Sequence, residues 1–395
     1  MVKIRDIEEI FLGALQEDNN NKGEINKKTR YFKDSDWQVL SDLSVKNGLF
    51  PVFYKRLLSL DLENIPPEFL SKLKTLYLIN LKRNIILERE LFDIISYLKE
   101  NNIPVIPLKG PTLAKFLYGD LSLRVISCDL DLLIEHSKVK TAQKRLADKG
   151  YYFDSRYETA DFSYRFRRQI VLQRKIEGGG YMFLDLHWDF RDQFSHTHLQ
   201  DFWLNAVNIS FDGHQILMPS PEDLLLYLIL ISISDFDFIQ IKYLYDIHRL
   251  VTAFGRHINW DALAVKANQV WLDTALFFSL KLSQELFNTR GIPKEMLDSL
   301  EPSDIRYNLL RLWINKRNIL RAREKISRGY AWRYFISSYA LSKGIFDCMP
   351  IIYRKIFLPM DEVMGFYNQP LDKRSYFLYI KRLLKPIAYL LNPEK

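Results

Sequence analysis

Cysteine is nearly absent from this sequence, since only Cys128 and Cys348 occur among its 395 residues. Two cysteines exclude a framework of disulfides and fit a reducing compartment, with Cys128 expected as a small buried side chain. Long apolar runs are absent too: the longest, 224–233, is bounded by Asp223 and Asp235 and is too short to span a bilayer. The first residues lack the basic and then apolar pattern of a signal peptide. The sequence therefore predicts a cytoplasmic protein with a buried helix at 224–233 and no membrane span.

Acidic residues are outnumbered by basic ones, 48 against 56, which gives a formal net charge of +8. This excess permits binding of a polyanion but does not require it, because a triphosphate site alone recruits basic residues. Hydrophobic residues make up 48% of the chain, enough for two or three packed units. Helical periodicity dominates 1–101, where we expect a long helix at 68–100 and an asparagine-rich loop at 17–30.

A predicted buried strand, 103–108, ends at a group of residues suited to anion binding. Lys109 and Gly110 follow the strand directly. Pro111 then suits the first position of a helix that continues through Thr112. At such a turn, free N–H groups and the positive end of the helix dipole face a ligand, and a lysine stands beside them. The sequence thus predicts an anion site at the start of this helix.

Two carboxylates lie inside the next apolar segment, 125–134, which predicts a second strand. Because side chains alternate across a strand, Asp129 and Asp131 share one face. Neighbouring carboxylates repel one another and lose hydration unless a cation lies between them. Hard oxygen ligands at this spacing suit Mg²⁺, which takes its other ligands from water and substrate phosphates. The alternative is an exposed pair of aspartates at a strand edge or turn.

A third carboxylate is expected if the site holds two metal ions. The sequence EGGG at 177–180 predicts a hairpin turn between a strand at 169–175 and a strand at 181–190. Asp185 lies inside this strand and shares a face with His187. Asp185 is therefore the predicted third acid, and His187 either orients it or contacts phosphate. The alternative for His187 is a structural histidine beside Trp188.

These motifs, in this order, resemble the uncharacterised nucleotidyltransferase family of the DNA polymerase β superfamily. The similarity covers most of the chain: Lys-Gly after a strand, an arginine in the following turn, the segments CDLDLLI and LDLHW, a lead-in NNIPVIPLKG and a helical segment IKYLYDIHRL. The resemblance implies an α+β fold. A small mixed β-sheet core at 102–219 is then flanked by an N-terminal helical unit at 1–101 and a C-terminal helical domain at 220–395.

The resemblance also implies an activity. The chain is expected to transfer a nucleoside monophosphate from a nucleoside triphosphate, such as ATP, to a hydroxyl or phosphate of an acceptor, with release of pyrophosphate. Two Mg²⁺ ions, with Mn²⁺ as the alternative, are held by Asp129, Asp131 and Asp185. Asp185 also accepts the proton of the acceptor. Lys109 and the helix start at Gly110 bind the β- and γ-phosphates.

Further residues are assigned to the triphosphate by this resemblance. Arg124 neutralises its charge. Lys242 reaches it from a predicted helix at 238–251, and Asp246 holds it in position. The alternatives are a pair of Arg124 with Asp120 and an intrahelical ion pair of Lys242 with Asp246, which is worth little.

The acceptor stays open on the sequence alone. A small molecule or a peptide is favoured, whereas the basic and aromatic stretch 304–333, unless it is a solvated helix face, favours RNA. An amphipathic segment, 376–391, is expected to dock on the protein body, with membrane-surface attachment as the alternative. A non-catalytic nucleotide-binding or toxin-type module on the same fold is a further alternative, although all three predicted carboxylates are present.

Overall fold

A computed structural model describes residues 3–17, 19–154, 160–176, 179–190, 196–234, 240–312 and 314–320. The predicted segment 376–391 and part of the basic stretch 304–333 lie outside these residues. Within them the chain forms sixteen α-helices and seven strands. The predicted α+β class is confirmed.

Helices precede, interrupt and follow the strands along the chain. The helices are α1 Ile4–Leu15, α2 Lys22–Thr29, α3 Asp34–Lys46, α4 Phe50–Leu60, α5 Pro67–Glu100, α6 Pro111–Tyr118, α7 Val139–Ala147, α8 Ala160–Phe166, α9 His196–Leu204, α10 Pro221–Ser234, α11 Ile241–Phe254, α12 Trp260–Gln269, α13 Asp273–Phe287, α14 Lys294–Ser299, α15 Asp304–Arg311 and α16 Lys316–Leu320. The strands are β1 Val105–Pro107, β2 Asp129–Ile134, β3 Tyr152–Phe153, β4 Gln169–Lys175, β5 Tyr181–His187, β6 Val207–Phe211 and β7 His214–Met218.

The described residues form two compact units. The first unit contains those of Met1–Glu90, Pro111–Ser127 and Ser220–Lys325, and the second contains those of Leu91–Gly110 and Cys128–Pro219. The first unit is helical, and all seven described strands belong to the second. α5 begins in the first unit, and its last turns belong to the second. The three consecutive domains expected from the sequence stay a prediction.

Five strands of the second unit form one mixed sheet in the order β1-β2-β5-β4-β3. β2 and β5 run parallel, and the other neighbours are antiparallel. Leu184 and Leu186 of β5 are fully buried, while the residues between and beside them face the other side of the sheet. Alternation along β5 therefore gives one core face and one face that carries Asp185 and His187. β6 and β7 form a separate two-stranded sheet.

Apolar helices form the core of the first unit. α10 is buried along 223–232, and its start follows from the sequence. Ser220 Oγ accepts a hydrogen bond from the backbone N–H of Asp223 at 3.2 Å, and Pro221 takes the first helical position. α11 packs against both α10 and α13. The inner face of α11 is therefore enclosed on two sides.

Some local expectations are confirmed and others are wrong. The helices predicted at 68–100 and 224–233 are confirmed by α5 and α10. The loop predicted at 17–30 is wrong, because α2 forms there and buries Ile25. Cys128 is exposed rather than buried. In the part of the chain that the structure describes, no helix combines the length and apolar character needed to cross a membrane.

Candidate metal centre

Parallel pairing of β2 and β5 brings two carboxylates side by side. β2 begins at Asp129, later than the predicted start at Val125. In the register of the two strands Asp131 lies opposite Asp185, and Asp129 lies opposite Phe183. Asp129 and Asp131 share one face of β2, as alternation predicts. The sheet topology, rather than spacing along the chain, therefore creates the Asp131–Asp185 pair.

Asp131 lies at the centre of this cluster. Its Oδ1 accepts a hydrogen bond from Lys109 Nζ at 3.2 Å and lies 3.0 Å from His187 Nε2. Only 3% of the residue is exposed. Its second oxygen, Oδ2, is buried and has no hydrogen-bond partner among the described residues. Because a buried carboxylate oxygen without a partner is costly, this atom marks a position where a cation or a donor is expected.

Asp185 has a different hydrogen-bond partner from Asp131 and a higher pKa. Gln169 Nε2 donates a hydrogen bond to its Oδ2 at 3.0 Å. Burial, together with the neighbouring Asp131 charge, raises the pKa of the Asp185 carboxyl to about 7. Burial opposes the ionisation of Asp131 as well, but the Lys109 ammonium and the His187 hydrogen bond lower the pKa of Asp131 to about 2. At neutral pH Asp131 is therefore ionised while Asp185 is partly protonated.

Three side chains converge closely enough to share one cation. Ligand atoms of Asp131, Asp185 and His187 all lie within 4.8 Å of one another. Asp129 is half-buried on the same face of the sheet. Its charge raises the pKa of Asp185, but it does not belong to the group of Asp131, Asp185 and His187. Carboxylate oxygens and an imidazole nitrogen are donors that divalent cations accept. The structure thus brings together three of the residues predicted from the sequence and places the fourth beside them.

The predicted anion-binding turn starts where β1 ends. The backbone N–H of Leu108 donates to the carbonyl of Asp131 at 3.0 Å, which aligns this end of β1 with β2. Gly110 has a φ angle of +80°, a left-handed conformation that favours glycine. Thr112 is buried in the first turn of α6. Lys109 lies against Asp131, and phosphate binding by these residues stays a prediction.

Two other predicted residues form a buried ion pair in the first unit. Arg124 Nε donates to Asp246 Oδ1 at 3.0 Å, and Arg124 Nη2 donates to Asp246 Oδ2 at 2.9 Å. The Tyr118 hydroxyl donates to Asp246 Oδ1 at 2.7 Å. Both charged side chains are almost completely buried. The arginine therefore pairs with Asp246 on α11, whereas Asp120, its expected alternative partner, accepts hydrogen bonds from Ser122.

Lys242 lies one helical turn before Asp246 on α11. Its ammonium is 4.9 Å from the centre of the Tyr243 ring. Its stem is 3.4 Å from the position that a Cβ on Gly48 would take. Contact with a triphosphate stays a prediction for Arg124, Lys242 and Asp246.

Polar side chains of α5 hold the loop that carries Arg124. Asn84 Nδ2 donates to the carbonyls of Leu121 and Arg124, each at 2.8 Å. Asn80 Nδ2 donates to the carbonyl of Ser122 at 3.0 Å. Both asparagines are buried. The sequence pattern did not single them out, although two asparagines four residues apart within an amphipathic helix are a usable signal for such a brace.

A mixed sheet that aligns two carboxylates and a histidine beside a lysine defines an α+β protein with a candidate site for a divalent cation. Over residues 33–288 the chain matches the family described as uncharacterised nucleotidyltransferase, and it belongs to that family. The resemblance seen in the sequence is therefore confirmed.

Comparisons with individual proteins add little to the family assignment. No curated protein is significantly similar to the chain. Among solved structures, the chain is similar to an antigenic nucleotidyltransferase-like protein from Paracoccidioides brasiliensis. The two share 18% sequence identity, with 51% of this chain and 96% of that chain covered and a TM-score of 0.33. A likeness at this TM-score carries no conclusion about this chain.

Proposed function

We propose that the protein transfers a nucleoside monophosphate from a nucleoside triphosphate to an acceptor in a Mg²⁺-dependent reaction. The observation that carries the proposal is the buried Oδ2 of Asp131, which has no hydrogen-bond partner among the described residues and belongs to the cluster with Asp185 and His187. Membership of the uncharacterised nucleotidyltransferase family supports the same reaction. An acceptor oxygen bonds to the α-phosphorus, the bond from that phosphorus to the bridging oxygen breaks, and pyrophosphate leaves.

The donor set fits a divalent cation. Asp129, Asp131 and Asp185 would hold two Mg²⁺ ions, as the superfamily pattern implies, and such ions neutralise charge on the triphosphate and on the leaving pyrophosphate. The nitrogen of His187 beside Asp131 is a better ligand for Mn²⁺ than for Mg²⁺. Mn²⁺ is therefore the alternative cofactor.

Asp185 is the proposed base for the acceptor. It lies opposite Asp131 in the register of the two strands and belongs to the same cluster, from which it would accept the proton of the acceptor directly or through water. The Gln169 amide at 3.0 Å fixes Oδ2, so Oδ1 is the oxygen proposed to receive the proton. Deprotonating the acceptor oxygen makes it the nucleophile.

Lys109 has two successive partners in this proposal. Its ammonium lies 3.2 Å from Asp131 and favours the ionised form of that carboxylate. On substrate binding it turns to the phosphates next to the turn at Gly110, because a lysine stem has enough rotatable bonds to do so. A hydroxyl or phosphate of a small molecule or a peptide is the proposed acceptor, with RNA as the alternative.

The test needs no acceptor. ATP, GTP, CTP and UTP are each titrated calorimetrically, with and without Mg²⁺, into the parent and into the double variant Asp129→Asn/Asp131→Asn. We expect Mg²⁺-dependent binding of at least one nucleotide by the parent and none by the double variant. Asp161→Asn, an exposed aspartate of the same unit, is the matched control and should bind as the parent does.

Two results would contradict the proposal. One is the failure of all four nucleotides to bind the parent. The other is equal binding by the parent and by a double variant whose circular dichroism shows that it is folded.

Once a nucleotide is identified, retention of RNA at increasing salt distinguishes RNA from a small molecule or a peptide as the acceptor, because phosphate contacts make RNA binding steeply salt-dependent.

A further inference from the structure

A cavity of about 720 Å³ lies within the first unit, where α11 ends and the chain leaves α13. Val251 and Phe287, both buried, form apolar parts of its wall. Arg256 and Arg290 line it as well, and both are exposed on the surface of the unit. The cavity thus combines an apolar wall with two cationic groups. Its volume lies in the range of small-molecule sites, roughly 300–1,000 Å³.

A buried histidine in the wall of this cavity has one nitrogen without a hydrogen bond. His248 is 3% exposed, and its Nε2 has no hydrogen-bond partner among the described residues. Its Nδ1 lies 2.8 Å from Thr289 Oγ1, and that hydroxyl donates its own proton to the carbonyl of Ser283 at 2.7 Å. Thr289 Oγ1 can then only accept, so Nδ1 carries the histidine proton. Nε2 therefore presents a lone pair and acts as an acceptor.

The surroundings of His248 keep its ring neutral. Burial, with the charge of Arg249 as a smaller cause, lowers the pKa of His248 to about 3. Glu17, which also lines the cavity, has its Oε1 at 3.9 Å from Nε2 and accepts a hydrogen bond from Arg249. A buried acceptor nitrogen and a carboxylate therefore stand close together, and a group that donates hydrogen bonds satisfies both.

We infer that this cavity binds a hydroxylated organic anion. Hydroxyl groups of the ligand donate to His248 Nε2 and to the Glu17 carboxylate, and Arg256 and Arg290 bind its phosphate or carboxylate. Charge-assisted contacts of this kind give most of the affinity, and the neutral acceptor gives selectivity for hydroxyls. None of the residues that line the cavity is a proposed ligand of the metal ion or of the triphosphate, so the site is distinct in its residues from the proposed nucleotidyl transfer.

Nitrogen NMR of the full chain, labelled with ¹⁵N-histidine, tests this inference directly. The chain has seven histidines, and the signal that is missing from His248→Gln identifies His248. In the free protein we expect Nδ1 to carry the proton and Nε2 to be bare. Ribose 5-phosphate, glycerol 3-phosphate and citrate are then titrated without Mg²⁺. At least one compound should bind to saturation and shift the His248 Nε2 signal. Comparing citrate with the two phosphates then shows whether the site prefers a carboxylate or a phosphate.

Variants separate this site from the surface and from the carboxylate cluster. Arg256→Gln should weaken the binding about tenfold or more, the loss expected for one charge-assisted hydrogen bond. Arg89→Gln, an exposed arginine on α5, is the matched control and should leave binding unchanged. Asp131→Asn should also bind as the parent does, so failure of the proposed transferase reaction leaves this result unaffected.

Three titration results would overturn the inference, and so would one result on the free protein. They are the absence of saturation with all three compounds, saturation that leaves the His248 Nε2 signal unmoved, and an affinity that Arg256→Gln does not change. A proton on Nε2 in the free protein would equally remove it, because the nitrogen would then be a donor.

Discussion

Asp131 and Asp185 are adjacent in the sheet, yet their surroundings favour the ionised form of Asp131 and the protonated form of Asp185. Lys109 and His187 contact Asp131, whereas an uncharged amide, that of Gln169, contacts Asp185. Two carboxylates this close cannot both ionise cheaply without a cation, so the proton goes to the one that lacks charged partners. The pair is therefore poised for a cation that would replace this proton.

The first prediction concerns the stability of the metal-free protein. The pKa of Asp185 is about 7 in the folded state against an ordinary value of 3.8. The folded state thus binds this proton more tightly than the unfolded state. The stabilisation that the bound proton provides is complete below the ordinary pKa of 3.8 and is lost as the pH rises from there through 7. Relative to Asp185→Asn, we expect the free energy of unfolding of the parent to fall by up to ~1.4 kcal/mol per pH unit in this window.

Urea unfolding at a series of pH values, with a chelator present, measures this difference. Asp161→Asn is the control and should keep the slope of the parent, because Asp161 is exposed. Taking the difference between parent and variant cancels the other titrating groups, including His248. Parallel curves for the parent and Asp185→Asn would show that Asp185 titrates normally.

At the residue scale the sequence predicts side-chain types and faces but not neighbours across strands. The alternation around Asp129 and Asp131 correctly places both on one face. It does not show that β5 pairs in parallel with β2 and thereby sets Asp131, rather than Asp129, against Asp185. Nor does it show that Lys109 contacts Asp131. Both facts depend on the order of strands in the sheet, which no local pattern encodes.

At the scale of single elements, the turn after β1 depends on backbone conformation. Gly110 has a φ angle of +80°, and among the described residues nothing lies within 4 Å of the position that a Cβ would take there. A side chain would therefore have room at this position, and the left-handed backbone conformation is the only reason that glycine is favoured there. Gly23, on the surface of α2, is equally open but has an ordinary helical backbone.

These two glycines give the second prediction. Gly110→Ala should lower the free energy of unfolding by about 1–2 kcal/mol, the cost of left-handed backbone for a residue with a Cβ. Gly23→Ala should be neutral or raise it by up to ~1 kcal/mol, because alanine is favoured in a helix. Urea midpoints measure both changes. Equal effects would mean that the turn relaxes its φ angle at no cost.

The ion pair between α11 and the loop after α6 gives the third prediction. Asp246→Asn leaves the buried Arg124 without a counter-charge, and we expect a loss of about 3–5 kcal/mol in the free energy of unfolding. Asp298→Asn, an exposed aspartate on α14, should change it by less than ~0.5 kcal/mol. Thermal and urea unfolding give the values.

A double variant tests the reason for that loss. Arg124→Met/Asp246→Leu removes both charges, so it should regain part of the stability that Asp246→Asn loses. If the double variant is as unstable as the single one, packing or the Tyr118 hydrogen bond, rather than an unpaired charge, is responsible.

At the scale of the whole molecule, the described chain has two compact units, and each of them has its own buried residues. Leu276 on α13 is fully buried in the first, and Leu184 on β5 is fully buried in the second. Chains with more than one compact unit commonly unfold in more than one step. We therefore expect two unfolding transitions.

Core substitutions assign these transitions, which is the fourth prediction. Leu276→Ala and Leu184→Ala should each cost about 2–5 kcal/mol, the usual loss for such a cavity. Each should displace mainly one transition in differential scanning calorimetry. A single transition that both variants lower equally would show that the two cores unfold as one.

Long helices and the hairpin strands are the parts of the fold that the sequence predicts well. The core stripe of α5 and the apolar run of α10 with its Ser-Pro start define these two helices, and β4 and β5 flank the glycine-rich sequence 177–180. The loop predicted at 17–30 is wrong because that prediction relied on the polar composition of the segment. The structure forms α2 there, which packs against α1 and buries Ile25. Burial of one side chain by a neighbouring helix overrides a weak local preference.

The position of β5 at the centre of the sheet has a consequence for how the protein is made. Lys109 precedes Asp131 by 22 residues, whereas His187 follows it by 56. A chain emerging from the ribosome thus presents β1 with β2, and later β3 with β4, before the strand that joins these two halves exists. Lys109 and Asp131 are therefore both synthesised before Asp185, and the acid pair can form only when β5 joins the sheet.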